Sequence, residues 1–290
     1  WGLWNTSHSV GGALIPLIAA FCAQKWGWRY AMYVPGFTCI GIGLFLINRL
    51  RDTPQSLGLP AIEKYKNDYP SAKYQEEREF SSKEILLKYV LNNKYIWVLA
   101  ISYFFVYVIR QAVNDFGALF LMKAKGYSML SASGSVFWFE AGGIFGSLVA
   151  GWASDKVFQG RRGPINVLFS LAVVLAIVGL YWVPHGMLFL DYWLMFTIGF
   201  LIFGPQMLIG MSAAELSHKK AAGTATGFAG WWAYLGAAAA GYPITKVVEI
   251  WGWQGFFVVL GSCGVIAAIL LAPLWGMKST PHPAVQATEK

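Results

Sequence analysis

The sequence predicts an all-α integral membrane protein with eight transmembrane helices, and three observations support this fold class. Of the 290 residues, 57% are hydrophobic and only 12% are charged, whereas soluble domains carry about 25% charged residues. The chain also contains eight apolar stretches that are each about as long as a bilayer-spanning helix, which needs about 20 residues. Finally, the basic residues fall mainly in every second loop, as is typical of a multi-pass protein.

The apolar stretches divide into a pair and a group of six. They lie roughly at residues 1–24, 30–48, 95–121, 128–153, 165–184, 189–214, 221–247 and 254–277. A polar segment, residues 51–94, separates the second stretch from the third. It ends in SSKEILLKYVL, which has the pattern of a short amphipathic helix with Ser81 or Ser82 as its N-cap. The polar segment is therefore interpreted as a central loop.

Lysine and arginine are concentrated in one of the two sets of loops. The central loop with the flanking Arg49, the loops after the fourth and sixth stretches, and the C-terminal tail 279–290 with the flanking Lys278 hold 16 of the 22 basic residues. The other set holds five, and the remaining basic residue is Arg110. Because cytoplasmic loops carry an excess of basic residues, we predict that the central loop and the tail face the cytoplasm. The net charge of +8 then reflects membrane topology, and no nucleic-acid partner is expected.

Small residues at regular spacing predict close packing between helices. The stretch AGGIFGSLVAGW places Gly142, Gly146 and Ala150 at intervals of four residues, which lets two transmembrane helices approach closely. The alternative is that transmembrane helices are simply rich in glycine. The stretch GTATGFAGWWAYLGAAAAGYP has the same character and adds Pro243, which is able to bend a transmembrane helix.

Motifs of enzymes and metal sites are absent from the sequence. It contains no P-loop, nucleophile elbow or zinc motif. The three cysteines, Cys22, Cys39 and Cys263, lie far apart in apolar stretches. We therefore predict a protein that is not an enzyme and has no cofactor.

The ionisable residues within the apolar stretches are the strongest functional signal. They are His8, Arg110, Asp115 and Glu140, with Glu215 near the end of a stretch. An arginine at the bilayer centre costs at least about 2.5–3.5 kcal/mol and by default marks a substrate path. A guanidinium group binds phosphate or carboxylate through two parallel hydrogen bonds. The alternative is a structural ion pair of Arg110 with Glu140 or Asp115, although five residues on a helix separate Arg110 and Asp115 by about 140°.

Candidate pocket residues accompany this arginine. His8 lies in the polar patch WNTSHSVGG, which indicates a hydrated cavity, although a lone histidine also occurs as a satisfied core residue. Trp4, Tyr107 and Tyr234 combine an apolar ring with a polar atom, which suits a sugar or phosphate pocket. Membrane helices carry many aromatic residues, so each of the three is equally well explained as packing.

Several motifs resemble those of a known family. GWASDKVFQGRRG resembles the cytoplasmic loop signature of the major facilitator superfamily, through Gly151, Asp155, Gly160, Arg161 and Arg162. WNTSHSVGG, RDTPQSLGLP, FVYVIRQAVNDFG and FGPQMLIGMSAAELSHKKAAGTATGF resemble the organophosphate:phosphate antiporters. Within that family the likeness is to the hexose phosphate branch, especially to its sensor-like member that detects external glucose 6-phosphate.

The resemblance implies a bundle of twelve helices in two halves, of which this chain would supply helices five to twelve. Residues 1–50 would be the last two helices of the first half and residues 95–278 the complete second half. The family binds phosphate between two arginines, one from each half, and Arg110 matches that of the second half. By the same resemblance His8, Trp4, Tyr107 and Tyr234 are pocket residues. Asp115 and Glu140 match acidic residues of the second half.

Two departures from the family pattern qualify the expected function. Phe203 stands where glycerol phosphate transporters carry tyrosine, which favours a hexose phosphate, and GTATGFAGWW lacks the acid and base of typical hexose phosphate transporters. We expect a carrier of the inner membrane that exchanges hexose 6-phosphate for inorganic phosphate by alternating access. The alternatives are a receptor for external glucose 6-phosphate that signals to a sensor kinase, and an inactive truncated remnant.

Overall fold

The computed structural model describes residues 2–51, 54–60, 65, 81–218 and 221–277, with the backbone alone at some positions of the first helix and at residues 129 and 130. Eight long helices occupy the described residues and confirm the all-α fold class. Their bounds are as follows: α1 Gly2–Trp26, α2 Trp28–Arg49, α3 Lys94–Lys123, α4 Met129–Lys156, α5 Gly163–Trp182, α6 Leu188–Glu215, α7 Ala222–Ala239 and α8 Tyr242–Leu271.

Six stretches of the described residues are long and apolar enough to cross a membrane. Five of them correspond to α2, α3, α4, α5 and α6, and the sixth is the 53-residue stretch Ala222–Leu274. The prediction of eight spans is therefore not confirmed by length and hydropathy. The count differs because α1 is not among the six stretches, and because α7 and α8 fall together into one of them.

The chain divides into two compact units, Gly11–Glu79 and a larger unit made of Trp1–Val10 and Phe80–Lys290. Within the smaller unit, α2 buries none of its side chains. Aromatic rings follow one another along its first turns, with ring centroids 6.2 Å apart for Tyr30 and Tyr33 and 6.4 Å apart for Tyr33 and Phe37. An apolar helix with this exposure is typical of a segment that faces lipid or other helices.

In the larger unit, α4 and α6 pack together through glycine. A Cβ atom added at Gly142 or Gly146 would lie 2.0 Å from a backbone oxygen of α6, and one added at Gly199 would lie 1.9 Å from the backbone oxygen of Phe139 in α4. No side chain fits in that space, so the two backbones are in direct contact. The close helix packing predicted from AGGIFGSLVAGW is confirmed, and α6 is the partner helix.

Glycine also sets the contact between α3 and α7. A Cβ atom at Gly236 would lie 2.2 Å from the backbone oxygen of Phe104, and the neighbouring Ala229 and Ala233 are buried as well. This contact uses the second small-residue stretch. It holds α7 against the helix that carries Arg110.

The helix predicted over residues 221–247 is interrupted in the structure. Helix α7 ends at Ala239 and α8 begins at Tyr242, with Pro243 in its first turn, where a missing backbone N–H costs little. Pro243 therefore starts a helix rather than bending one. A second break follows at Gly252, where φ is +64°, a conformation that favours glycine.

The end of the central loop forms the predicted short helix. A three-residue turn, Ser82–Glu84, continues as a π-helix over Ile85–Leu91, with Ser81 at the N-cap position. Its residue Val90 is buried in a small cluster with Ile96 and Ala225. The side chain of Asn93 caps α3 by accepting a hydrogen bond from the Tyr95 backbone and donates another to the backbone oxygen of Leu216, 3.0 Å away. These contacts fasten the start of α3 to the end of α6.

Candidate functional site

Arg110 lies in the middle of α3, 16 residues after Lys94 and thus about 24 Å along the helix axis. The residue is half-buried. The Cζ atom of its guanidinium group lies 5.0 Å from the centroid of the Phe203 ring in α6 and 5.6 Å from that of the Tyr107 ring. A cation above an aromatic face gains roughly 0.5–2 kcal/mol. The two rings therefore offset part of the cost of placing this charge among apolar helices.

A row of tyrosines extends from Arg110 along α3 and across to α7. The ring centroids of Tyr103 and Tyr107 are 4.9 Å apart, and those of Tyr107 and Tyr234 are 5.9 Å apart. Tyr103 and Tyr107 are each 8% exposed, whereas Tyr234 is 68% exposed. The structure thus brings together three of the predicted site residues, Arg110, Tyr107 and Tyr234. It adds Tyr103, which the sequence analysis did not single out.

The two acidic residues near Arg110 have different surroundings. Glu140 in α4 is 6% exposed and lies within electrostatic reach of the Arg110 guanidinium. Asp115 is exposed, and its carboxylate accepts hydrogen bonds of 2.9–3.0 Å from the side chains of Gln111 and Asn114 on the same helix. Glu140 is therefore the buried acidic residue of the site, while Asp115 belongs to a local polar group on α3.

Phe203 is fully buried beneath the guanidinium because α4 leaves room for it. A Cβ atom at Gly143 would lie 2.7 Å from the Phe203 ring, and the Phe139 ring packs 5.6 Å away, centroid to centroid. One turn along α6, Gln206 is 4% exposed. The next turn brings Gly210, whose Cβ position would lie 3.8 Å from the hydroxyl oxygen of Tyr103. This face of α6 therefore forms the floor of the site.

The remaining predicted pocket residues, Trp4 and His8, belong to α1, whose backbone is helical there. Their side chains lie outside the described residues, so their roles stay predictions. Ser9, which follows His8, is buried.

Asp155 and Arg162 of the predicted loop signature take part in an ion-pair network. We call the end of the helix bundle that contains this network the Arg162 end. The guanidinium group of Arg162 donates to a carboxylate oxygen of Asp155, to the Ser154 hydroxyl at 3.0 Å and to Glu215 at 3.0 and 3.3 Å. Burial alone would lower the pKa of Arg162, but its hydrogen bonds and ion pairs with Glu215 and Asp155 raise it above its usual value. The network links the loop that follows α4 to the end of α6.

The other members of the signature shape that loop. Gly160 has φ of +81°, which explains a glycine there. The backbone oxygen of Arg161 accepts a hydrogen bond from Ser154. Gly151 faces Met207 of α6, where a Cβ atom would lie 3.4 Å from the methionine methyl carbon.

A second ion pair lies at the opposite end of the bundle, which we call the Lys125 end. Lys125 and Asp191 form a salt bridge with side-chain exposures of 4% and 0%. The ammonium group of Lys125 also donates to the backbone oxygen of Leu180 at 3.0 Å, and the Tyr127 hydroxyl donates to Asp191 at 2.9 Å. This cluster, the Lys125 cluster, joins the ends of α3, α5 and α6.

Asp191 and the pairing of Glu215 were not predicted from the sequence. Asp191 lies in the first turn of α6, where an acidic residue is favoured by the helix dipole, so the pattern resembles an ordinary helix start. Glu215 ends α6 and its partner lies 53 residues away. Neither partner is visible from local spacing.

Comparison with known proteins shows the family of this all-helical chain. A family model described as Major Facilitator Superfamily matches residues 1–241, and the chain belongs to this family. It is therefore a multi-pass membrane protein.

Of three relatives that the chain resembles, two are named for hexose phosphates and one is named a membrane sensor protein. It is 55% identical over 286 residues to a "Probable hexose phosphate transport protein" of Chlamydia pneumoniae, covering 95% of this chain and 63% of that protein. It is 50% identical over 285 residues to the "Membrane sensor protein UhpC" of Escherichia coli, covering 98% and 65%. It is 33% identical over 287 residues to the "Hexose-6-phosphate:phosphate antiporter" of Salmonella typhimurium, covering 93% and 60%. The resemblance stated from the motifs is confirmed. The chain spans less than two thirds of the length of these relatives.

Proposed function

We propose that this chain is the larger part of a carrier that exchanges hexose 6-phosphate for inorganic phosphate by alternating access, with Arg110 as the phosphate-binding residue. The observation that carries this proposal is the half-buried Arg110 in the middle of a transmembrane helix, above the ring of Phe203. The names of the relatives support the same substrate class.

The chemistry of the site fits a phosphate monoester. The guanidinium fork presents parallel N–H donors to two phosphate oxygens, and the rings of Phe203 and Tyr107 restrict where it can point. The buried Glu140 would attract Arg110 when the site is empty and release it when an anion binds. The row of tyrosines that ends at the exposed Tyr234 offers flat surfaces to the sugar.

His8 and Trp4 complete the proposed pocket from the first half of the carrier. A histidine titrates near pH 6.5, so His8 would tune phosphate binding through its charge. Asp115 would take part in coupling through its polar group on α3. In this scheme His8→Ala weakens glucose 6-phosphate binding and flattens its pH dependence between about 5.5 and 7.5. If the pH dependence of glucose 6-phosphate binding is the same in His8→Ala as in the parent, His8 has a packing role.

In the proposed topology the chain crosses the inner membrane eight times. Residues 1–50 form two helices of the first half, residues 51–94 a cytoplasmic loop and residues 95–278 the second half, with the tail 279–290 in the cytoplasm. The stretch Ala222–Leu274 has 53 residues, about 80 Å of helix. That length exceeds twice the bilayer core, and the break at Gly252 suits a reversal of direction. The excess of basic residues puts the Arg162 end in the cytoplasm.

Topology is tested with single cysteines in a background without the three native ones. Gln159, in the loop at the Arg162 end, and His185, between α5 and α6, are matched positions in short connections. In intact cells an impermeant thiol reagent should label His185→Cys and spare Gln159→Cys. Labelling of Gln159→Cys but not of His185→Cys would contradict the proposed membrane topology.

Transport is tested with the complete protein that contains this chain, reconstituted into vesicles loaded with inorganic phosphate. Labelled glucose 6-phosphate should accumulate only when phosphate is inside, and Arg110→Lys should abolish most of the uptake. A receptor is the second candidate, because GTATGFAGWW in α7 carries no charge and one relative is named a membrane sensor protein. Arginine-dependent binding of glucose 6-phosphate without exchange would favour the receptor.

A further inference from the structure

Gln206 is a buried polar residue that neither the packing of the helices nor the ion pairs explain. It lies in the second half of α6 and is 4% exposed. Its side-chain oxygen Oε1 is buried and accepts no hydrogen bond from any of the described residues. Most buried polar atoms of folded proteins have a hydrogen-bond partner, so each exception requires an explanation.

The position of Gln206 relates it to the Arg110 site. Residues 203, 206 and 210 lie on one face of α6, because positions three, four and seven apart share a helix face. Phe203 lies beneath the Arg110 guanidinium, and Gly210 faces the hydroxyl of Tyr103. Both flanking residues therefore meet α3, and Gln206 lies between them, about 4.5 Å further along the axis than Phe203.

The buried side-chain amide of Gln206 lowers the stability of the folded protein. A buried acceptor that loses its bond to water and gains no other bond destabilises the folded state, whereas an apolar side chain of similar size does not. The neighbouring Met207, also 4% exposed, packs in a small apolar cluster with Ile165 and Leu208. Methionine is thus tolerated at this depth of α6, and a glutamine there serves a purpose other than packing.

We propose that Gln206 is a specificity-determining residue whose Oε1 accepts a hydrogen bond from a hydroxyl group of the sugar while Arg110 holds the phosphate. This inference rests on the function proposed above and deepens it. A sugar hydroxyl supplies the donor that Oε1 lacks, and the spacing of about one helical turn from Phe203 lies within the length of a hexose phosphate. Inorganic phosphate, which has no sugar, reaches Arg110 but not Gln206.

The test compares two ligands in the complete protein. Gln206→Met removes the acceptor at similar size, and Met207→Leu on the adjacent face is the matched control. Affinities for glucose 6-phosphate and for inorganic phosphate are measured by calorimetry, together with the temperature of thermal unfolding. We expect Gln206→Met to weaken glucose 6-phosphate roughly three- to ten-fold, the effect of one neutral hydrogen bond. Inorganic phosphate should bind unchanged, and the unfolding temperature should stay the same or rise.

Deoxy analogues of glucose 6-phosphate identify the hydroxyl. One of them should bind the parent protein as weakly as glucose 6-phosphate binds Gln206→Met, and should lose nothing further in that variant, because the two changes remove the same bond. The Met207→Leu control should bind both ligands like the parent.

The outcomes separate this inference from the function on which it rests. Equal loss of both ligands, or a lower unfolding temperature in Gln206→Met, would assign Gln206 a structural role. If Gln206→Met binds glucose 6-phosphate as tightly as the parent, Oε1 of Gln206 accepts its hydrogen bond from water and not from the sugar. This result would also overturn the inference. If the parent protein binds neither ligand in a manner that depends on Arg110, the proposed function fails first.

Discussion

Two groups of buried polar residues in the larger unit differ in how completely their charged and polar atoms are paired. In the Lys125 cluster, the salt bridge is almost completely enclosed, Lys125 donates a further hydrogen bond to the backbone oxygen of Leu180, and Asp191 accepts one from Tyr127. At the Arg110 site, Arg110 is half-buried with its guanidinium over aromatic rings, and Oε1 of Gln206 has no hydrogen-bond partner among the described residues.

The difference separates a structural role from a binding role. A buried ion pair contributes to a defined structure only when its geometry is good and its remaining hydrogen-bonding groups are satisfied. A binding site must keep polar groups available to the ligand, which costs stability in the empty protein. Mutations in the Lys125 cluster should therefore affect stability, and mutations at the Arg110 site should affect affinity.

The largest expected effect is the loss of stability in Lys125→Met. This substitution leaves the carboxylate of Asp191 buried without its cation, and breaking a buried pair in this way costs about 3–5 kcal/mol. Thermal unfolding in detergent should show a large fall in transition temperature, while the folded fraction binds glucose 6-phosphate like the parent. The double variant Lys125→Met/Asp191→Leu should recover much of the loss. A single variant as stable as the parent would contradict the structural role.

Arg110→Lys should show the opposite behaviour. Lysine keeps the charge but lacks the planar fork, and one charge-assisted hydrogen bond contributes about 1.5–3 kcal/mol. Affinity for hexose phosphate should fall roughly ten- to a hundred-fold, at about 1.4 kcal/mol per factor of ten, with the unfolding temperature nearly unchanged. Binding titrations and unfolding curves of the same preparation provide the comparison. Parent-like affinity in a folded variant would exclude Arg110 as the phosphate-binding residue.

Tyr127→Phe tests how much the hydrogen bond from Tyr127 to Asp191 contributes to the stability of the Lys125 cluster. Loss of the hydroxyl should lower stability by about 1.5 kcal/mol at neutral pH, the lower end of the range for a hydrogen bond to a charged group. Affinity for glucose 6-phosphate should be unchanged. If stability is also unchanged, Asp191 does not need this donor.

The same variant gives a prediction for alkaline pH. Partial burial, together with the hydrogen bond and charge of Asp191, raises the pKa of Tyr127 from 10.0 to about 12. The unfolded protein therefore loses this proton first, and the contribution of Tyr127 to stability is present below pH 10 and declines as the pH rises from 10 towards 12. The stability difference between parent and Tyr127→Phe should shrink over that range. A constant difference would contradict the raised pKa.

The smallest effects are expected at the Arg162 end, where the pairs are partly exposed. Glu215→Gln removes one of the two carboxylates around Arg162, whose side chain is 13% exposed, and should lower stability by about 1 kcal/mol, the upper end of the range for surface pairs. The matched control Glu249→Gln breaks a pair with Lys246 in which both side chains are about half exposed, and should cost less than about 0.5 kcal/mol. Equal effects of the two variants would mean that burial does not strengthen the Arg162 network.

The positions of most helices were predictable because each is a long apolar run with polar residues at its ends. The run predicted at residues 189–214 is α6, Leu188–Glu215, and that at 128–153 is α4, Met129–Lys156. The break between α7 and α8 was missed, since Ala240 and Gly241 continue the apolar composition of their neighbours. The depth of Arg110 was also predictable, because it follows from counting residues along α3.

The candidate site was only partly predictable. Arg110, Tyr107 and Tyr234 were singled out and lie together, and the packing of small residues on α4 was foreseen without its partner helix. Phe203 was noted only as a departure from the family pattern, and Gln206 was not singled out. Their place beneath α3 follows from the glycine contacts of α4 with α6.

The sequence by itself determined that this is a helical membrane protein, the positions of most of its helices, and the depth of Arg110 within α3. These features are predictable because hydropathy and helical rise are local properties of the chain. Only the tertiary structure decided which side chains meet. The guanidinium of Arg110 lies over a ring 93 positions further along the chain, and Lys125 pairs with Asp191 at a separation of 66 residues. Such pairings depend on which helix faces pack together, and no local periodicity encodes that choice.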